Sequence, residues 1–302
     1  MTEKYKATSF LLILMSSFFI LLIYSMVLGP KSRQQNRKTQ ETEIILAGDT
    51  MLGRSVMTKS LGLNNPSYSF EKVKDDLLEA DLVFLNLENP VIKDCPASSE
   101  GMIFCAKPEM IQGLVSSGVD VVTLANNHTS NYGKSGLQET VGHLTSANIL
   151  STGLGRLSIK EQGVLKFGFL GFDFFSKAPT DADYKLISES KEKVDFLLVG
   201  VHWGAEYMSK PSQFQKTWAT KIIENGADVI AGHGSHWVQD VDYIDGVPVY
   251  YSLGNFVFDQ MWSEKTREGM IVRLELKGTD IQKEELLPIY MSSWAQPELL
   301  SH

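Results

Sequence analysis

Asp49 follows the apolar run IILAG, Glu88 follows LVFLNL, and Asn126, Asn127 and His128 follow VVTLA; His202 follows LLVGV, while His233 and His236 follow DVIAG. Carboxylates, amides and imidazoles are the donors that divalent Mn, Fe or Zn prefer. One ion, or two sharing a bridging ligand, would bind an oxyanion and lower the pKa of a water so that hydroxide forms near neutral pH. Together Asp49, Glu88, Asn126, Asn127, His128, His202, His233 and His236 are therefore candidates for a metal or substrate site. His128 is the candidate general acid, because Asn127 can coordinate through its carbonyl oxygen while the neighbouring imidazole reaches past it to a leaving group. Taken singly, Asp49 could cap a turn and Asn127 could supply a left-handed backbone conformation. Taken together, so many polar groups buried without partners would be costly, which favours a metal or substrate site.

The apolar runs that carry these residues are short and rich in Val, Ile and Leu, as suits strands buried on both faces. Between them lie helical patterns such as PEMIQGLVSSG, GLQETVGHLTSAN and QFQKTWATKIIENG, each closing near Gly or Asn. This alternation predicts a layered α/β domain, and in open sheets of that class ligands bind beyond the carboxyl ends of the strands. Later, GVPVYYSLGNFVF and GMIVRLELKG follow one another without an obvious helix, which predicts an antiparallel portion of sheet.

Residues 7–28 carry no charge, and a helix of that length spans about 33 Å, enough to cross a bilayer core of about 30 Å. A cleaved secretory signal is the alternative, but the run is long for one and ends in SMVLGP without an A-x-A-like site. The expected organisation is a short flank at 1–6, a single transmembrane anchor at 7–28, a polar tether at 29–42, a domain at 43–292 and a tail at 293–302. The basic residues flanking the anchor slightly favour a cytoplasmic domain, a weak vote where a long domain follows.

The 302 residues carry 28 Lys and Arg against 36 Asp and Glu, a formal charge of −8. Because the first 42 residues are net basic, the domain is more acidic than that figure suggests. A general nucleic-acid partner is excluded on these grounds, since phosphate backbones are bound by Lys/Arg-rich surfaces. Two cysteines, Cys95 and Cys105, stand in a Pro/Ser/Gly-rich stretch. They permit a disulfide in an oxidising compartment or two buried thiols in a reducing one.

The motifs GDTMLGR (48–54), NLENP (86–90), ANNHTSNYG (125–133), VHWGAEY (201–207), GHGSHWVQ (232–239) and YSLGNFVFDQ (251–260) occur in an order that resembles the CapA family of poly-γ-glutamate capsule biosynthesis proteins, within the calcineurin-like metallophosphoesterase superfamily. The resemblance implies a four-layer α/β/β/α sandwich of two mixed sheets with metals at the strand ends. It implies that Asp49 is the first-motif ligand, Glu88 the bridging carboxylate, Asn127 the amide ligand, His128 the acid, and His202, His233 and His236 the later ligands. Arg54, Asn126 and Asn255 are implied as contacts to an anionic substrate. The chain departs from the superfamily's D-x-H motif, with Thr50 and Met51 after Asp49, has Glu88 for the usual Asp, Asn131 for the Asp of D-Y-G, and Gly234 where many members have His.

The implied role is a cell-membrane, extracytoplasmic component of anionic-polymer synthesis or export, working with membrane synthesis or export proteins. Two alternatives stand beside it: a metal-dependent phosphoesterase acting on another envelope phosphate ester, and a metal-binding scaffold that catalyses nothing.

Overall fold

The computed structural model of the chain describes residues 35–98 and 100–300. The expected membrane span at 7–28 lies outside these residues, and no helix among the described residues is long and apolar enough to cross a membrane.

In chain order the strands are β1 (Glu41–Thr50), β2 (Leu82–Leu87), β3 (Val121–Thr123), β4 (Leu150–Thr152), β5 (Ser158–Gln162), β6 (Leu165–Asp173), β7 (Phe196–His202), β8 (Val229–His233), β9 (Val241–Ile244), β10 (Val247–Tyr250), β11 (Asn255–Val257), β12 (Glu268–Lys277), β13 (Asp280–Ser293) and β14 (Gln296–Leu299). They form two mixed sheets, as expected. One has eight strands in the order β14-β13-β12-β1-β2-β3-β4, with β11 also paired to β1; the other has six, in the order β5-β6-β7-β8-β10-β9. Of the two segments expected to form an antiparallel portion, 269–278 does so in β12, antiparallel to β1 and β13, whereas 246–258 splits between β10 in the second sheet and β11, which pairs parallel to β1.

Side chains alternate across each strand, and the alternation assigns the layers. Ile44 and Leu46 of β1 join Phe84, Phe167, Phe169, Phe196 and Leu198 in a core between the sheets. Ile45 and Ala47 of the same strand face outward to Met57, Leu77, Leu114 and Leu144. On the other sheet, Leu197 and Val199 face Ile187, Ala219 and Ile222. The residues on these outer faces come from helices α1 (Arg54–Gly62), α2 (Lys74–Leu78), α3 (Ile111–Ser116) and α4 (Gly133–Ser146) on the first sheet. Helices α5 (Asp181–Lys191) and α6 (Gln213–Glu224) cover the second. Helix α6 starts where a capping box dictates, Ser212 Oγ accepting from Gln215 N–H and Gln215 Oε1 from Ser212 N–H.

The ordered domain extends past both expected ends. β1 begins at Glu41, which pairs with Lys277 of β12; just before it Arg37 pairs with Asp195 and Gln40 bonds to Gln162 and Val164. At the other end β14 pairs with β13, and Gln296 donates to the Tyr68 carbonyl.

Candidate metal centre

β1 approaches the 253–255 segment closely, since a side chain on Gly48 would lie 2.1 Å from the Gly254 carbonyl oxygen, and the Asp49 N–H donates to that oxygen. The register of β1 slips against β2 between Leu46 and Asp49, and against β11 between Asp49 and Thr50. Irregularities of this type re-aim a side chain at a strand end. They turn the fully buried Asp49 carboxylate into the space beyond the sheets, where Glu88 arrives from the end of β2 with its N–H bonded to the Thr50 carbonyl. His202 and His233 end adjacent parallel strands in register. The chain then turns through Gly234 (φ +101°) to His236, itself at φ +58°. A non-glycine residue in the left-handed region stores backbone strain of about 1–3 kcal/mol, typical of a position held for function.

Three side chains converge. Asp49, Glu88 and His236 each offer a ligand atom, all within 4.8 Å of one another. His236 Nδ1 lies 3.3 Å from Asp49 Oδ2, and its Nε2 lies 3.9 Å from Glu88 Oε1. His233 Nδ1 approaches Asp49 Oδ1 at 3.4 Å without hydrogen-bond alignment, and His202 Nε2 stands 4.0 Å from Glu88 Oε1. Asn127 contributes a buried Oδ1. Both Glu88 oxygens, both His233 nitrogens and the Asn127 Oδ1 are buried without a hydrogen-bond partner. The unpartnered Glu88 oxygens, close to Asp49 and His236, are groups that a cation satisfies, so the residues present fit a divalent metal.

The electrostatics agree. Burial pushes the Asp49 carboxyl up, but His233 and His236 beside it hold it well below the usual carboxylate range. Burial pushes Glu88 well above that range, with Asp49 adding to the effect and His236 opposing it. Burial works against a charged His236, yet Glu88 and Asp49 raise it to about 9. Burial takes His202 down to about 3, so that imidazole is neutral. Without a cation the proton on His236 offsets part of the carboxylate charge.

His128 belongs to the site's edge. Its ring stacks on Phe104, centroids 3.8 Å apart, and its Nδ1 lies 3.0 Å from Asn131 Oδ1. Burial lowers its pKa, opposed by the Asn131 hydrogen bond.

The residues expected to touch substrate are engaged by the protein. The Arg54 guanidinium is paired with Asp259 through two nitrogens and donates to the Gly101 carbonyl. Asn126 donates to Asn86 Oδ1 and the Leu87 carbonyl, and accepts from His128 N–H. Asn255 Oδ1 faces His236 Nδ1 at 3.0 Å, while its amide donates to Gln260 and the Thr266 carbonyl.

Asn86 is the residue that sequence reasoning missed. Its amide donates to Asp49 Oδ1 at 2.8 Å and lies 3.5 Å from His202 Nδ1, while its oxygen accepts from Asn126. The available signal was a lone amide inside the otherwise apolar, wholly buried strand LVFLNL. Gly234, where a side chain would meet the His202 ring at 3.0 Å, leaves room for that ring.

With this geometry in view, the comparisons with known proteins are informative. Residues 43–172 and 176–260 match the family described as bacterial capsule synthesis protein PGA_cap. The PGA biosynthesis protein CapA of Bacillus subtilis (strain 168) is 29% identical, over 95% of this chain and 82% of that protein. The capsule biosynthesis protein CapA of Bacillus anthracis is 31% identical, over 84% of this chain and 69% of that one. A crystal structure of a hypothetical protein from Thermus thermophilus shares the fold, with a TM-score of 0.53 at 15% identity, covering 82% of this chain and 98% of that chain.

Proposed function

This chain belongs to the bacterial capsule synthesis protein family, and from that premise we propose that it is a membrane-anchored, extracytoplasmic component of capsular poly-γ-glutamate synthesis or export, acting through a divalent metal centre of metallophosphoesterase type. The observation that carries the chemistry is the convergence of Asp49, Glu88 and His236 around acceptors that the protein leaves unpartnered. These three would hold the ion, with His202, His233 and Asn127 completing its surroundings. When bound, the ion supplies Lewis acidity and a water of lowered pKa.

The chain's own residues do the rest. Asn86 orients Asp49 and His202, and Asn255 orients His236. His128 has its Nδ1 3.0 Å from Asn131 Oδ1, which orients the imidazole as the candidate proton donor to a leaving group. Arg54 is paired with Asp259, so an ion held by Asp49, Glu88 and His236 would be the positive charge that the site offers an anionic chain. The disulfide between Cys95 and Cys105 supports placement in an oxidising compartment.

The test is replacement in a polymer-producing host. Glu88→Gln and His128→Ala proteins, present in the membrane at normal level, are expected to abolish surface polymer. Polymer that persists in both would replace this reading with a non-catalytic scaffold. Turnover of a generic phosphodiester, abolished by Asp49→Ala, would instead favour a phosphoesterase with another envelope substrate.

A further inference from the structure

Phe104 immediately precedes Cys105, whose disulfide to Cys95 brings the two Cα atoms to 5.8 Å. We propose that this disulfide, acting through Phe104, fixes the orientation and tautomer of the His128 imidazole, making Phe104, Asn131 and Arg54 positioning residues of the proton-transfer group.

Three observations carry the assignment. The Phe104 and His128 rings are stacked, 18° from parallel, which leaves the imidazole little freedom to rotate about its ring bond. The Phe104 N–H donates to Asn131 Oδ1 at 2.7 Å, and since that N–H can only donate, the oxygen of the Asn131 amide must face it. The same oxygen lies 3.0 Å from His128 Nδ1, so Nδ1 bears the hydrogen and donates to it. Phe104 thus sets the tautomer through its backbone and the ring plane through its side chain.

The Phe104 side chain is buried in the outer core, edge-on to Phe258. Met102 and Ile103 before it are 64% and 66% exposed, so the approach to Phe104 has little burial to hold it. The remaining ties are the disulfide, Arg54 over the ring at 4.3 Å with its donation to the Gly101 carbonyl, and the backbone bonds of Ala106 to Pro90 and Ile92. Of these, the disulfide is the covalent one and the nearest to Phe104.

The proposal depends on the preceding reading only for the use to which His128 is put; its geometry is tested without metal or turnover. The full chain, labelled with 13C at the histidine ring carbons, solubilised in detergent and kept metal-free with a chelator, gives the His128 Cε1–H resonance, assigned with His128→Gln. Stacking is expected to displace this resonance upfield. Phe104→Leu is expected to abolish the displacement and Phe104→Tyr to retain it. Cys95→Ser/Cys105→Ser is expected to reduce it while the other histidines stay in place. Should that double variant fail to fold, reducing the wild-type bond with a phosphine under native conditions gives the same readout. A His128 resonance unmoved by loss of the disulfide, or by Phe104→Leu, would overturn the proposal, as would equal movement of all the histidines.

Discussion

His236 Nδ1 stands 3.3 Å from Asp49 Oδ2, a contact between the first strand and a strained turn far along the chain. The same imidazole reaches toward Glu88 with its other nitrogen, so one ring bridges the two buried carboxylates. Replacing it separates ligand chemistry from backbone geometry if the new side chain tolerates the left-handed conformation. Asn does so. We therefore expect His236→Asn to fold and to lose metal affinity by at least about 10–100-fold, the range seen when even supporting residues are removed. Isothermal titration with Mn or Zn checks this.

Metal binding should be proton-linked. Before metal arrives, His236 is raised to about 9 and burial raises Glu88 well above the ordinary range, so these groups together retain protons at neutral pH. Below about 9 a cation must displace protons from these groups, so its affinity is expected to rise with pH and level off beyond the His236 value. Titrations in buffers of different ionisation enthalpy should show net proton release, diminishing as pH rises. Proton uptake would contradict the account.

Asn86 supports two ligands at once. Asn86→Ala removes a donor from Asp49 and an acceptor from Asn126, so a stability loss of about 1–3 kcal/mol is expected from the buried group left unsatisfied. Metal affinity is expected to fall about 10–100-fold alongside it. Denaturant unfolding and metal titration measure the two effects.

Arg54 offers a sharper contrast. Its partner Asp259 is almost fully buried, so Arg54→Ala strands a carboxylate and is expected to cost about 3–5 kcal/mol. Arg54→Ala/Asp259→Ala should recover much of that loss. If Arg54 were a substrate contact alone, the single variant would unfold like wild type.

Closing the short Cys95–Cys105 loop constrains the unfolded chain and is expected to contribute about 2–3 kcal/mol. A lower unfolding midpoint for the Cys95→Ala/Cys105→Ala chain, compared with wild type under oxidising conditions, is the measurable consequence.

The strand-end residues were legible because burial and polarity conflict most visibly there: an imidazole or carboxylate closing an apolar run has few reasons to exist without a ligand. The layered α/β class was legible from the alternation of runs, and the two mixed sheets from the motif resemblance. The supporting shell was not. Asn86 reads as one amide within a strand, and its three partnerships come from β1, β7 and the segment after β3. Phe104 reads as a loop aromatic; only the disulfide and the fold carry it to His128. Arg54 and Asn255 were legible as site residues, but their saturation by Asp259, Gln260 and Thr266 is a tertiary fact. The start of the first strand at Glu41 was hidden because its polar residues pair with Lys277, Leu276 and Glu275, far along the chain in β12.

The central claim is that Asp49, Glu88 and His236 hold a divalent cation. Elemental analysis of the full chain, purified from membranes without chelator, tests it most directly. The account expects stoichiometric Mn, Fe or Zn in the wild-type protein, lost from Glu88→Gln and His236→Asn proteins that remain folded. Wild-type protein free of these metals, and unable to take them up on titration, would contradict it.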